Sequence, residues 1–97
     1  MTPKAGDTLR MSADAAELIR ILAGEHLLPT GAGLRMGLNA DTNSLTMHMA
    51  HDPENEDVVV SREGARVFVS PSAMHRLRGR TLCAQVAPAQ TAFFLEP

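Results

Sequence analysis

Cysteine is almost missing from this chain: Cys83 is the only one in 97 residues, and there are three Phe but neither Trp nor Tyr. A single thiol cannot close an intrachain disulfide, and within one chain it cannot supply the four ligands of a zinc or iron-sulfur centre. Without Trp or Tyr the core has to rest on Leu, Val, Ile, Met and Ala. A chain of this size buries only a modest share of its surface, so pairing with a partner or with a second copy would add stability. Long apolar runs are missing as well. No stretch approaches the roughly 20 residues needed to cross a bilayer, and residues 1–10 hold no apolar signal core. A soluble, cytoplasmic protein without a membrane partner is expected. Concentrated positive charge is the last absence: the formal charge is -2 and the basic residues are scattered, which removes the field that drives phosphate binding and argues against nucleic acid.

Apolar residues make up 44% of the chain and charged ones 21%, too apolar for a disordered tail. No Pro-, Ser- or Gly-rich linker divides it, so residues 1–97 read as one domain, with 1–10 a loose lead-in. Ser12 offers a helix N-cap and Asp14 a first-turn acid. Ala15, Leu18, Ile19 and Leu22 then recur at helical spacing, and Gly24 or Pro29 stops the helix. From Leu34 the period becomes two. Leu34, Met36 and Leu38 alternate with Arg35, Gly37 and Asn39; after a turn at Asp41–Ser44, Leu45, Met47 and Met49 alternate with Thr46, His48 and Ala50, which predicts a hairpin. A polar loop from Pro53 to Asp57 leads to a second hairpin, Val58–Val60 against Arg66–Ser70, with Gly64 supplying positive φ. Ser70-Pro71 caps a short helix carrying Met74 and Leu77 and ended by Gly79. Leu82, Ala84 and Val86 mark another strand, and Phe93–Leu95 a last one after a loop at Pro88. The order implies an α+β, mainly β fold of short antiparallel strands with packed helices rather than a parallel βαβ unit.

Four patterns invite chemistry. Met47, His48, Met49 and His51 carry soft donors that suit copper or zinc. Strand alternation, however, turns His48 away from Met47 and Met49 and sets His51 on the face opposite His48, so the four do not converge and core Met with exposed His is expected. Cys83 would become a nucleophile if His75 approached it, but no acyl-transfer motif surrounds it, and a small, partly buried strand residue is expected. Gly31-Ala32-Gly33 lacks the preceding strand and the remainder of a dinucleotide fingerprint. The acidic loop of Glu54, Glu56 and Asp57 is either solvated or a contact for a basic partner.

The segments Met11–Arg20, Gly33–Leu38, Glu56–Val60 and Gly64–Pro71, with Leu77, Gly79 and Leu82 after them, together resemble the A-type, HesB-like iron-sulfur assembly domains over nearly the whole chain. The resemblance implies a compact β-rich sandwich with flanking helices, commonly dimeric or tetrameric. It also implies three ligand cysteines, one in a turn after the first long strand and two in a C-terminal Cys-Gly-Cys. Here Asn43 falls at or next to the first position, and the sequence ends at Pro97 ahead of the second motif. An amide is a poor substitute for a thiolate on a soft cluster. The expectation is therefore a degenerate A-type module that is not an enzyme, holds no cofactor and recognises a protein partner, as cysteine-free A-type domains within some Nfu-type carriers are thought to do. Its contact candidates are Asn43 and Ser44 in the turn, Glu54, Glu56 and Asp57 in the acidic loop, and the edge of the final strands. The alternative is an iron or iron-sulfur site assembled between subunits from Cys83 with His48 or His51.

Overall fold

A computed structural model describes residues 9–86 and 91–97; the expected loop at Pro88 and residues 1–8 of the expected lead-in lie outside them. Leu9 and Arg10, at the end of the expected lead-in, are ordered against the rest of the chain. Leu9 is fully buried, and Arg10–Met11 form a short strand, β1, whose neighbour in space is a strand 71 residues later in the chain, Arg10 lying beside Thr81. Apolar Leu9 and Met11 flank Arg10 with the spacing of a half-buried strand, a pattern too short to be read without its partner.

Helix α1 spans Ala13–Glu25, with Ser12 as N-cap accepting a hydrogen bond from the Ala15 N-H at 3.1 Å. Its buried residues are Ala15, Ala16, Leu18 and Ile19. Beyond His26, the C-cap, the Leu28 N-H donates to the Ala23 carbonyl and the Leu27 N-H to the Gly24 carbonyl. This is the Schellman arrangement, which places a left-handed residue just past the helix. That residue is Leu27, at φ 53° and 90% exposed, although glycine is the usual occupant; Gly24 sits three positions too early to serve.

Strands β2 (Gly33–Asn39) and β3 (Ser44–Ala50) form the expected hairpin, and β4 (Val58–Arg62) and β5 (Ala65–Val69) the second one. The second turns on Glu63-Gly64, at φ 49° and 84°, the positive pair that a two-residue primed turn requires. Helix α2 spans Pro71–Leu77, capped by Ser70, and is followed by β6 (Thr81–Val86) and β7 (Thr91–Glu96).

The strands make two sheets, ordered β1-β6-β7 and β3-β2-β5-β4. The two hairpins do not simply continue as a meander. They join through β2 and β5, which run parallel, and β1 and β6 are parallel as well, so both sheets are mixed where uniformly antiparallel strands were expected. The α+β, mainly β class stands. Two facts bring β2 and β5 together: Leu34, Met36, Val67 and Val69 are all essentially buried in the core, and Gly33 has no side chain. A Cβ on Gly33 would lie 2.5 Å from the Arg66 carbonyl oxygen, closer than packed atoms tolerate.

One core joins these elements: Leu9 and Met11 from β1, the α1 stripe, Leu34 and Met36, Ala65, Val67 and Val69, Ala73, Met74 and Leu77 of α2, and Leu82 and Ala84 of β6. β3 lies at a sheet edge, which explains one departure from expectation. Met47 is 41% exposed rather than buried, whereas Met49 packs against the core.

Leu27→Gly should stabilise the protein. The left-handed conformation costs a non-glycine residue about 1–2 kcal/mol, more than the extra unfolded-state freedom of glycine, about 0.4–1 kcal/mol. A gain of about 0.5–1 kcal/mol corresponds to a Tm rise of about 2–8 °C for a domain of this size. Thermal unfolding followed by circular dichroism reads it, and an unchanged or lower Tm would show that Leu27 makes a stabilising contact.

Candidate functional site

Chain direction determines what happens on the outer face of the four-stranded sheet. β3 and β4 run the same way at opposite edges, with Ala50 beside Gly33 at one end and Val58 beside Val69 at the other. Residues 51–57 therefore cross from one end and edge of the sheet to the other. Alternation along β2 turns Leu34 and Met36 into the core and Arg35 outward, into the path of that crossing. Arg35 donates from Nε and Nη2 to the two carboxylate oxygens of Asp57 at 3.1 and 3.2 Å, and its Nε also lies 3.0 Å from Glu54 Oε2. The Asp57 side chain is 0% exposed and that of Glu54 68%. Asp57 Oδ2 also accepts from the Glu54 N-H at 2.9 Å. Phe68, beside Arg35 in parallel register, is completely buried. The acidic loop is thus divided: Asp57 is an internal anchor, Glu54 a half-free rim, and Glu56 an exposed turn residue at φ 70°. Sequence reading singled out the three acids but not Arg35, whose only signal is being the lone charge in the middle of an apolar strand.

Asn43 occupies the β2–β3 turn at φ 58°, with its N-H donating to the Asn39 carbonyl. The Asn39 side-chain oxygen accepts from the Asp41 and Thr42 N-H groups, and Arg76 of α2 donates to the Asn43 carbonyl. The backbone of the turn is therefore held from two sides, while Asn43 and Ser44 stay exposed.

Cys83 sits on β6 opposite Phe94 and is 8% exposed. Burial pushes its thiol above the ordinary range; the Glu96 carboxylate adds to the rise, and a hydrogen bond from Ser12 opposes it. The groups acting on it include Asp14 but not His75, so no base activates this sulfur. His48 and His51 belong to the other sheet: His48 lies on β3 opposite Arg35, and His51 just past the end of that strand. Within one chain the structure does not bring Cys83 together with either histidine. Among the described residues no three His, Cys, Asp or Glu side chains converge in a ligand cluster. An iron-sulfur cluster, which needs anionic sulfur, does not fit the donors here: one protonated, buried thiol and an amide in the turn. Among the described residues no helix is long and apolar enough to cross a membrane.

No family model matches this sequence, and no curated protein matches it. Solved structures do. Escherichia coli SufA, involved in biosynthesis of iron-sulfur clusters, superposes with a TM-score of 0.78 at 22% identity, over 96% of this chain and 88% of that one. A protein from Aquifex aeolicus, determined in solution, gives 0.73 at 21% identity over 100% and 99%. IscA with a [2Fe-2S] cluster gives 0.64 at 17% identity over 91% and 83%. The chain has the HesB-like fold of A-type proteins, as the sequence resemblance implied.

Asp57→Ala should lower the unfolding free energy by about 2–4 kcal/mol in urea titrations, since it strands a largely buried guanidinium; a loss below about 0.5 kcal/mol, the level of an ordinary surface change, would remove the anchoring role. The Cys83 thiol should alkylate slowly at neutral pH and speed up only as pH rises above the ordinary thiol range or as the fold is denatured. Rapid alkylation of the native protein at neutral pH would mean an activated thiolate.

Proposed function

We propose that this chain is a non-enzymatic accessory module, an A-type domain without a cluster-holding thiolate set, that recognises a protein partner linked to iron-sulfur assembly. One observation carries the reading. The hairpin turn in which the resemblance places the first ligand cysteine is kept and braced from α2, yet it presents Asn43, and the single thiol lies in β6 under the influence of Glu96. Function has to be argued from the site rather than the fold, and this site offers contact surface without redox or nucleophilic chemistry. The exposed groups at hand are Asn43 and Ser44 in the turn and Glu54 and Glu56 on the crossing loop, which suit a partner with hydrogen-bonding and basic groups. Association with a second copy is part of the same proposal: β3 and β7 lie at sheet edges, and Met47, Val86 and Phe94 are exposed.

Anaerobic reconstitution tests the negative half. Iron and sulfide added under reducing conditions should give no stoichiometric charge-transfer absorption. A band at one cluster per chain or per pair of chains, abolished by Cys83→Ser, would replace this reading with an intersubunit cluster site. The positive half predicts that a protein co-purifying at low salt is released by Glu56→Lys while the fold is unchanged by circular dichroism. Retention by the variant would exclude the acidic loop.

A further inference from the structure

The end of α1 and the end of β3 meet at a hollow of about 420 Å³ lined by His26, Leu28, Met49 and His51. Its donors come from two separate parts of the chain. Met49 lies on β3 and His51 just past the end of that strand, both lining the hollow, and His26 arrives as the C-cap of α1. We infer that this hollow is a soft-metal site in which the imidazoles of His26 and His51 and the thioether of Met49 bind a monovalent copper ion.

The donor set selects the ion. Thioether sulfur is a soft ligand that favours copper(I), and imidazole is compatible with it, whereas calcium and magnesium prefer oxygen ligands. No side chain lining the hollow carries a carboxylate or a fixed positive charge. The electrostatics also favour a cation. The last turn of α1 contains no basic residue, so the partial negative charge of the helix C-terminus is uncompensated beside His26. Glu25 and Asp52 flank the two histidines in sequence and add negative charge nearby.

The backbone that presents His26 is well fixed: its N-H donates to the Leu22 carbonyl at 3.0 Å, and the Leu27 and Leu28 N-H groups close the Schellman motif at 3.2 and 2.9 Å. Leu27, in its left-handed conformation, is the strained residue of that motif. Strain of this kind persists where surrounding contacts over-determine the backbone and is common at ligand sites. On the strand side, Met49 pairs with Leu34 and packs against the core, which limits the positions its sulfur can reach. The site lies on the four-stranded sheet, away from Cys83 on β6, and does not depend on the accessory-module reading.

The test uses the full chain in a Cys83→Ser background, which removes a competing thiol. Copper(I) is supplied anaerobically against a chromophoric chelator, with silver(I) as the redox-inert probe for NMR. One equivalent should bind, the Met49 methyl and the His26 and His51 ring resonances should move together, and His26→Ala/His51→Ala should weaken binding by about tenfold or more. Met49→Leu, which conserves volume, should also weaken it, and His48→Ala, on the opposite face, should not. Binding that survives the double histidine variant, a Met47 methyl shift in place of Met49, or the absence of saturable one-to-one binding would overturn the proposal. Circular dichroism of each variant separates loss of ligands from loss of fold.

Discussion

The ion pair between Arg35 and Asp57 is the constraint on which the arrangement of this molecule depends. Both hairpins are local and would form in any order, but joining them through parallel β2 and β5 obliges residues 51–57 to cross the sheet. Arg35 receives that crossing with a bidentate grip on a carboxylate that is wholly removed from solvent. Replacing such a pair by apolar residues often costs nothing, so its contribution here is better understood as selecting one path for the crossing than as adding net stability. Its effect reaches the candidate surface: of the three acids of the loop, Asp57 is used internally, and Glu54 and Glu56 are left at the rim.

Local patterns in the sequence were legible because each is decided by neighbours along the chain. Ser12 and Ser70 cap helices through hydrogen bonds three residues ahead, Gly64 turns a hairpin, and alternation from Leu34 to Met49 defines a strand pair. The features that were not legible are those decided by distant partners. β1 is two residues long and exists because β6 lies beside it. The parallel pairing follows from core burial shared by β2 and β5, and the exposure of Met47 from its place on an edge strand. The candidate metal hollow shows the same division. Alternation separated His48 from Met49, but only the fold could bring His51, just past the strand, and His26, at the end of a helix, to the same hollow as Met49.

For function, the fold and the ligand set point in different directions. The HesB-like architecture is shared with SufA and IscA over most of each chain, and the turn in which the resemblance places a ligand is held by Asn39 and Arg76. The side chains do not support cluster chemistry. Asn43 offers an amide, and burial, with the Glu96 carboxylate beside it, pushes the Cys83 thiol above the ordinary range. What remains is a scaffold with a braced turn, an acidic rim and open strand edges, the features on which the proposed partner-binding role rests.

The most direct test of that claim is the iron and acid-labile sulfide content of the protein isolated from cells under strict exclusion of oxygen. The account predicts neither in stoichiometric amount, with Mössbauer spectra free of cluster signals. A chain that emerges carrying matched iron and sulfide would contradict it and would show that the donors missing from one chain are supplied when chains assemble.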